Sequence, residues 1–542
     1  MRLKRLTALG IAAIMSVASL TACGNTAVNN GSSEGSVSKE SVASSEKESV
    51  ASSEMVEEGI VFPLKEKMTF TGFTSMNKEF ALDETNIAWK TALERANIDI
   101  ELTNVLNADL VEKRNLLVSS GNYPDVFIRS GLDANATVTN YGDILIPLED
   151  LIKEYAPNLT AWLDEVDGWK YITAADGHIY SLPAANEKNP EQNPIWINKK
   201  WMDNLGLEMP TSYEELYDVL KAFKEKDANG NGDPNDEIPI SFSTTTSPMR
   251  LLSYADYKFS WGDYLGVDEN EELFYVPMDE SFKEVLALCA KMFDEGIIDK
   301  NSFVQDNAQM AAVGQAGDVL GAFSRAGGFQ AVGKEQDENY MILTPFSEGT
   351  FAISTPLVAN AMSITDKCEN PEVLVAWADY FYTEEGGALV WMGVEGKTYK
   401  VNADGTWEWI LSEEYGADVS TLRAKSTISG TQKTPYIQPD FWRSGMSTNV
   451  DPDEVYLNKE RSRVYEMGVV PMPVLSYTEE ESETRGTIKA DVTAYIDQYV
   501  AQVVTGELDL DASWEDYLKT LKDMRVEELI KIYQDAYARA TK

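Results

Sequence analysis

The sequence predicts an α/β protein built as two lobes, and three observations predict it. Residues 67–128 alternate strand-like and helix-like runs, a βαβ pattern that implies a parallel sheet with helices on both faces. Residues 61–542 have ordinary globular composition and exceed what one hydrophobic core usually organises. A strand-like run, Thr355 to Met362, comes back to the first lobe after a long excursion.

The elements follow in order. Arg2, Lys4 and Arg5 precede an apolar run, Leu6 to Leu20, that is short for a membrane span. It ends in Leu20-Thr21-Ala22-Cys23, which resembles a lipobox, so residues 1–22 are expected to be a signal peptide and Cys23 the acylated first residue of the mature chain. Residues 23–60 are rich in Ser and Glu, have no aromatic side chain between Gly24 and Gly59, and contain KESVASSE twice, at 39–46 and 47–54. Such a stretch cannot bury enough apolar surface to offset its ordering entropy; it is expected to be a disordered tether, spanning roughly 30–35 Å as a flexible coil.

Met68 to Phe73 reads as the first strand. Asp83 then caps a helix with Ala88, Trp89, Leu93 and Ala96 on one side. Ile98 to Val105 alternates as a strand, Leu110 to Ser120 forms a helix ended by Gly121, and Asp125 to Ile128 forms the next strand. Ligands of such sheets collect at the carboxyl ends of the strands, which puts Gly72–Met76 and Arg129–Leu132 on a rim. Further on, Ser212 caps a helix whose Leu216, Val219, Leu220 and Phe223 share one apolar face. It runs out at Asp227, where D-x-N-x-N-G begins: Asp227, Asn229 and Asn231 alternate before Gly232. This is the opening of an EF-hand-like loop, where side-chain oxygens converge on a hard cation and glycine makes the turn. The twelfth position is Ile238 rather than a bidentate Glu. The loop must therefore close through Asp233, Asp236 and Glu237, with Asp233 contributing its backbone carbonyl, and a solvated acidic turn is the bland alternative. The expected cofactor is a structural Ca2+.

Leu251 to Gly266 is rich in Tyr and Trp. A strand at Leu273–Val276, a helix at Ser281–Glu295, a strand at Gly317–Phe323 entering the Ser324–Gly328 turn, a helix at Pro371–Tyr382 and a terminal helix at Trp514–Ala540 complete the reading. The net charge of −43 argues against nucleic acid, because a phosphate-binding surface needs clustered Lys and Arg. The single histidine, His178, excludes His-rich zinc sites and disfavours a Ser-His-Asp triad. Neither a P-loop nor a dinucleotide fingerprint occurs. Cys289 and Cys368 could pair, although Cys289 lies on an apolar helix face with Val285, Leu288 and Met292.

NPIWINKKWMDNLGLEMPTSYEELYDVLKAFKEKDANGNGDPNDEIPI, VSSGNYPDVF, ILIPLEDLIKEYAPNL, DGHIYSLP and EEGGALVWMGVEGKTYKVNADGTWEW stand in one order along the chain. Together they resemble solute-binding protein family 1: extracellular solute-binding lipoproteins of carbohydrate-type ABC importers, including the alginate-oligosaccharide-binding proteins. The resemblance covers about 65–540. It implies a periplasmic-binding-protein-like fold of type II, with a hinge and an interlobe cleft. Lobe 1 would comprise 61–185, with about 355–430 returning to it; lobe 2 would comprise 186–354 with part of 431–542. In that family the acidic loop, here 227–237, binds calcium. This chain matches it at Asp227, Asn229, Asn231, Asp236 and Glu237, while the assignment of Asp233 and Asn235 stays open. The implied function is a monomeric receptor, not an enzyme, anchored through Cys23 on the outer face of the cell membrane. It would deliver a carbohydrate, in the simplest case a neutral oligosaccharide, to permease subunits.

Aromatic faces stack on sugar rings while polar groups bind hydroxyls, which nominates Phe73, Tyr254, Trp261, Trp391 and Trp442, with Arg129, Arg325 and Arg443 as polar partners. For each aromatic, core packing is the competing explanation. Two rival functions remain: a secreted glycan-active hydrolase, whose carboxylate pair only three-dimensional spacing could identify, and a receptor of the same fold for peptides or other solutes.

Overall fold

The computed structural model describes residues 59–76, 81–132, 141, 143–186, 189–429, 434–439, 442 and 452–541. The lipobox, Cys23 and the tether repeats lie outside them. In chain order the strands are β1 (Met68–Met76), β2 (Ile98–Leu106), β3 (Val126–Ile128), β4 (Leu182–Ala185), β5 (Ile195–Asn198), β6 (Lys258–Ser260), β7 (Leu265–Val267), β8 (Leu273–Tyr275), β9 (Ala322–Ser324), β10 (Tyr340–Ile342), β11 (Leu357–Ile364), β12 (Tyr399–Val401) and β13 (Trp407–Trp409).

The first sheet has the order β2-β1-β3-β11-β4. β1 pairs in parallel with β2 over their whole length, Met68 opposite Ile98 and Met76 opposite Leu106, and in parallel with β3. β11 enters antiparallel between β3 and β4. Both faces are covered, as a parallel sheet requires. Phe70, Ile98, Ile100, Val126 and Ile128 pack on one side, and Phe73, Val105 and Phe127 pack on the other. The first crossover helix, Ile87–Ala96, buries Ala88, Trp89, Ala92 and Ala96. Its cap is Asn86, not Asp83. The Asn86 side chain accepts the Trp89 N–H at 2.9 Å, whereas Asp83 accepts the Thr85 N–H and hydroxyl in the preceding turn, so the helix starts later than expected.

The second core is organised on the antiparallel sheet β10-β5-β9, with the hairpin sheet β6-β7-β8 beside it. The helix Tyr213–Glu225 is capped by Ser212 and buries Leu216, Val219, Leu220 and Phe223. Two expected elements differ. The strand foreseen at 317–323 is reduced to β9 and an isolated parallel bridge of Leu320 to Ile238, because the helix Asn307–Ala316 occupies the preceding chain. The terminal helix foreseen at 514–540 is two helices, Leu510–Asp523 and Val526–Ala540, broken by Arg525 at φ 66°. A non-glycine residue in that left-handed conformation costs about 1–2 kcal/mol, so the packing of both helices must hold it. Cys289 and Cys368 are free thiols buried in different cores, which separates the pair.

One core draws on residues between Ile60 and Ala185 and again between Leu357 and Trp442. The other draws on residues between Ile195 and Ile353 and between Tyr456 and Tyr537. Three crossing segments run between the cores and are laced by backbone hydrogen bonds. Asn186 N–H donates to Pro356 at 2.9 Å, Glu191 N–H to Ala352 at 2.9 Å, and Ser354 N–H to Asn189 at 2.9 Å. On the other side, Ile353 N–H donates to Val469 at 3.0 Å and Val469 N–H to Phe351 at 2.9 Å. Val470 packs against both cores. The crossings thus form a three-chain ribbon, with 351–354 in the middle.

Gly468 lets the third segment approach so closely: a Cβ there would stand 2.3 Å from Ile353 Cγ2 and 2.8 Å from the Phe351 carbonyl oxygen. Gly468→Val is predicted to destabilise the protein by about 1–3 kcal/mol through overpacking at the ribbon. Urea unfolding checks this; an unchanged midpoint would contradict the close approach.

Candidate functional site

Side chains nominated from the sequence fall into three groups. The first is buried. Phe73 is 1 % exposed and meets the Phe127 ring edge-on at 5.8 Å. Tyr254 packs between Phe346 and Phe351, and its hydroxyl accepts the Ile195 N–H at 3.2 Å. Trp391 is stacked on Tyr436 at 5.6 Å with the Arg423 guanidinium 4.4 Å from its ring. All three belong to cores, with their rings packed against protein side chains. Arg129 is also buried. It follows β3 in a left-handed conformation, its carbonyl accepts the Ser75 hydroxyl at 2.7 Å, and burial pushes its guanidinium down to about 10.

The second group is half-buried. Trp442 meets Trp391 edge-on at 5.2 Å and accepts the Trp407 indole N–H on its carbonyl at 3.1 Å. Arg325 follows β9, its backbone held by Pro194 and by the Trp196 indole. Arg443 lies outside the described residues.

Trp261 stands alone in the third group and brings company. It follows β6, and the Arg250 guanidinium lies 3.9 Å from its ring centre. Arg250 Nη1 donates to Gln192 Oε1 at 3.3 Å, and the Ser260 hydroxyl donates to Glu191 Oε1 at 3.0 Å. Glu191 and Gln192 are on the first crossing segment, so the cluster joins the ribbon to the second core. Glu191 lines a recess of about 450 Å3 with Ser260, Asp263, Thr355, Pro473 and Tyr477. Burial raises the Glu191 carboxyl to about 7, against the Ser260 hydrogen bond and the Arg250 charge, which pull it down. Burial also brings Arg250 down to about 10. Asp263 behaves differently. Burial alone would raise it, but Arg485 at 2.9 Å, Lys489 at 2.5 Å and the Tyr533 hydroxyl at 2.9 Å hold it below the ordinary carboxylate range.

Glu191 and Arg250 were not nominated from sequence. A signal was present for Arg250, the lone cation in the apolar run PMRLLSY. Glu191 lies in a loop of mixed polarity that offers none.

The acidic loop is folded around its own side chains. Asn229 Nδ2 donates to Asp236 Oδ1 at 3.0 Å, Asn231 Nδ2 to Asp236 Oδ2 at 2.7 Å, and Gly232 N–H to Asp227 Oδ2 at 2.9 Å. Ala228 N–H donates to Glu237 Oε1 at 2.9 Å, closing the loop. Asp233 Oδ1 accepts from the Asn235 N–H at 3.2 Å and from Asn235 Nδ2 at 3.0 Å. Gly232, at φ 94°, makes the turn that the spacing demands. Two carboxylate oxygens, Asp227 Oδ1 and Glu237 Oε2, are buried without a hydrogen-bond partner. Burial, then the neighbouring Asp236, raises the Glu237 carboxyl. Among the described residues no three acidic, His or Cys side chains alone gather around one point. The donor set is instead all oxygen and mixed, carboxylates with amides and carbonyls. With two anionic oxygens unsatisfied, that set fits a hard cation.

Residues 78–388 match the family described as bacterial extracellular solute-binding protein. The fructooligosaccharide ABC transporter substrate-binding protein FusA of Streptococcus pneumoniae serotype 4 is 29% identical over 511 residues, 89% of this chain and 92% of that protein. A structure of FusA in complex with kestose superposes with a TM-score of 0.65 and 25% identity, covering 87% of this chain and 99% of that one. An EF-hand mutant of FusA in complex with fructo-nystose gives 0.64 at the same identity and coverage. Lipoprotein LipO of Bacillus subtilis is 26% identical over 321 residues, 56% of this chain and 62% of that protein. In fold alone, a solute-binding protein of Bifidobacterium longum infantis superposes with a TM-score of 0.73 at 19% identity, over 88% of this chain and 99% of that one.

The raised Glu191 carboxyl has a consequence for stability. The folded chain keeps this proton to higher pH than the unfolded chain, so stability is lost as pH rises from the ordinary carboxylate range through about 7. Glu191→Gln removes that loss. Calorimetry is predicted to show the variant's melting temperature gaining on the wild type between about pH 5 and about pH 8. A constant offset would contradict the burial of this carboxyl.

Proposed function

We propose, for a chain that belongs to the bacterial extracellular solute-binding proteins, that it captures an oligosaccharide between its lobes and delivers it to the permease of an ABC importer. One observation carries the reading: two separately packed cores joined by a laced ribbon, with a polar recess and a half-buried tryptophan beside it. A ribbon of this kind can twist about its length while its backbone bonds stay made, which suits closure around a ligand. Similarity to a fructooligosaccharide receptor along nearly the whole chain supports the choice of saccharide. The lobes of this reading are 61–185 with the return from about 355, and 186–354 with the terminal helices. Trp261 and Arg325 at the second lobe and Trp442 at the first are the nominated contacts, and Arg443 joins them by proximity in sequence to Trp442.

The chain acts as a binding protein rather than an enzyme, and as a monomer. Cys23 carries the lipid, and the 23–60 segment holds the lobes off the membrane; the relative LipO, a lipoprotein, supports this placement. Calcium sits in the 227–237 loop, held by Asp227, Asn229, Asn231, Asp236 and Glu237 with a carbonyl from the turn. It neutralises the two buried carboxylate oxygens and pins the loop. No chemistry follows from it. The EF-hand mutant described for FusA supports a site of this kind in a relative.

A ligand that binds only the folded state raises the melting temperature by mass action, by about 2.7 kcal/mol of stabilisation at a hundredfold excess over Kd. A thermal-shift series with kestose, maltotriose, trigalacturonate and tripeptides is predicted to show a rise with a saccharide and no conversion of it. A rise with peptides alone would overturn the substrate class, and consumed sugar would mean an enzyme. In the same assay, millimolar calcium is predicted to raise the midpoint of EDTA-treated protein and to leave Asp227→Asn unchanged. An equal rise in that variant would remove calcium from this loop.

A further inference from the structure

The second core carries a cavity of about 580 Å3 that the receptor reading does not use. It lies between the helix Tyr213–Glu225 and the helix Glu280–Asp294, and it shares no lining residue with the recess beside Glu191. Tyr213 and Tyr217 stand four apart on the first helix, and Glu284, Leu288 and Lys291 stand four and three apart on the second. Each helix therefore presents one stripe to the cavity. Tyr254, Tyr257 and Phe346 complete the aromatic wall. Phe346 braces it, meeting Tyr213 edge-on at 5.2 Å and Tyr254 at 5.4 Å.

The charges on the rim are unequal. Glu214, Asp256 and Glu284 are exposed carboxylates against one exposed ammonium, Lys291, and none of the four is in an ion pair among the described residues. Lys291 Nζ instead stands 3.7 Å from the centre of the Tyr217 ring, while Lys221, 5.6 Å from that ring, is paired with Glu225. The Tyr217 hydroxyl donates to Glu295 Oε2 at 2.7 Å, which fixes the ring. An ammonium so placed is attracted by the negative face of the ring, and the attraction grows as water is shed. The chain's own cation thus marks where a foreign one fits. An anion would meet three carboxylates, and a hydrated metal ion would gain nothing from the rings. An alkylated ammonium suits both, because its charge is spread over an apolar shell that leaves water at little cost.

We propose that this cavity is a second ligand site, for an alkylated ammonium compound, with Tyr217 as its principal ring and Lys291 as the internal cation that the ligand displaces. Its volume lies within the roughly 300–1,000 Å3 of small-molecule pockets, so the ammonium group enters with a substituent attached. The proposal does not rest on the saccharide reading, and its failure leaves that reading untouched.

The test is isothermal titration of the full chain with choline, tetramethylammonium and 3,3-dimethylbutan-1-ol, the uncharged counterpart of choline. Ionic strength is held constant, because a net charge of −43 attracts any cation loosely. Choline is expected to bind at least about tenfold more tightly than the alcohol. Tyr217→Leu is expected to weaken choline by about tenfold, and Lys291→Met to tighten it by about threefold or more. Near-UV circular dichroism verifies folding. Should Tyr217→Leu not fold, the exposed pair Asp256→Asn and Glu284→Gln is expected to weaken choline by about threefold or more. Flotation with phosphatidylcholine vesicles separates two sources of this chemistry. Protein carried up in a Tyr217-dependent manner takes a lipid headgroup, and protein left behind that binds choline takes a free solute. Equal binding of the alcohol, no binding of either cation, or choline affinity within about twofold of wild type in Tyr217→Leu would overturn the site. Unchanged or weaker binding in Lys291→Met would overturn the displacement.

Discussion

Glu191 N–H on Ala352 and Ile353 N–H on Val469 hold three chain segments side by side that are far apart in sequence. Each core closes its own apolar surface: the first on both faces of a mostly parallel sheet, the second around β10-β5-β9 and the terminal helices. Where chain must pass from one to the other, its backbone groups leave regular sheet and still need partners. The ribbon supplies them. It also fixes which side chains are presented at the junction: the first segment bends at 191–192, so that two neighbouring side chains meet the same cluster. The position of Glu191 and Gln192 against Ser260, Arg250 and Trp261 follows from that constraint, as does the need for glycine at 468.

The acidic loop depends on the second core in a comparable way. Asn229 donates to the Asp318 carbonyl at 3.1 Å, and the Asp318 carboxylate gathers Lys200 at 2.8 Å, the Trp201 indole at 3.0 Å and Asn198 at 3.2 Å. The loop is therefore tied to the end of β5, to the helix after it and to the approach to β9. A cation bound there would stiffen the frame on which β5 and β9 stand, some distance in sequence from the residues nominated to meet a ligand. That is the physical content of calling the site structural.

Much of the fold was legible because the signals are local. The βαβ run at 67–128 shows its period residue by residue, the Ser212 cap sits next to the helix that it starts, and D-x-N-x-N-G is contiguous, so Asp227 to Glu237 could be named without a structure. Asp83 and Asn86 are both good caps three residues apart, and only the turn between them decides which is used. The ribbon was illegible because its pairings join segments near 190, 353 and 469, and nothing in their composition announces a partner. The burial of Phe73, Tyr254 and Trp391 was illegible for a related reason. A tryptophan that stacks on Tyr436 inside a core and one that stands beside a recess have the same chemistry; burial distinguishes Trp391 from Trp261, and burial is a property of the whole fold.

The claim on which the account turns is that a saccharide closes the lobes about the ribbon. Electron–electron resonance between spin labels at Val111→Cys and Val304→Cys, exposed positions of the first and second lobes, measures it directly with Cys23 replaced by serine and the native Cys289 and Cys368 buried. Saturating neutral trisaccharide is predicted to shift and narrow the distance distribution. An unchanged distribution with the sugar fully bound would contradict hinge closure.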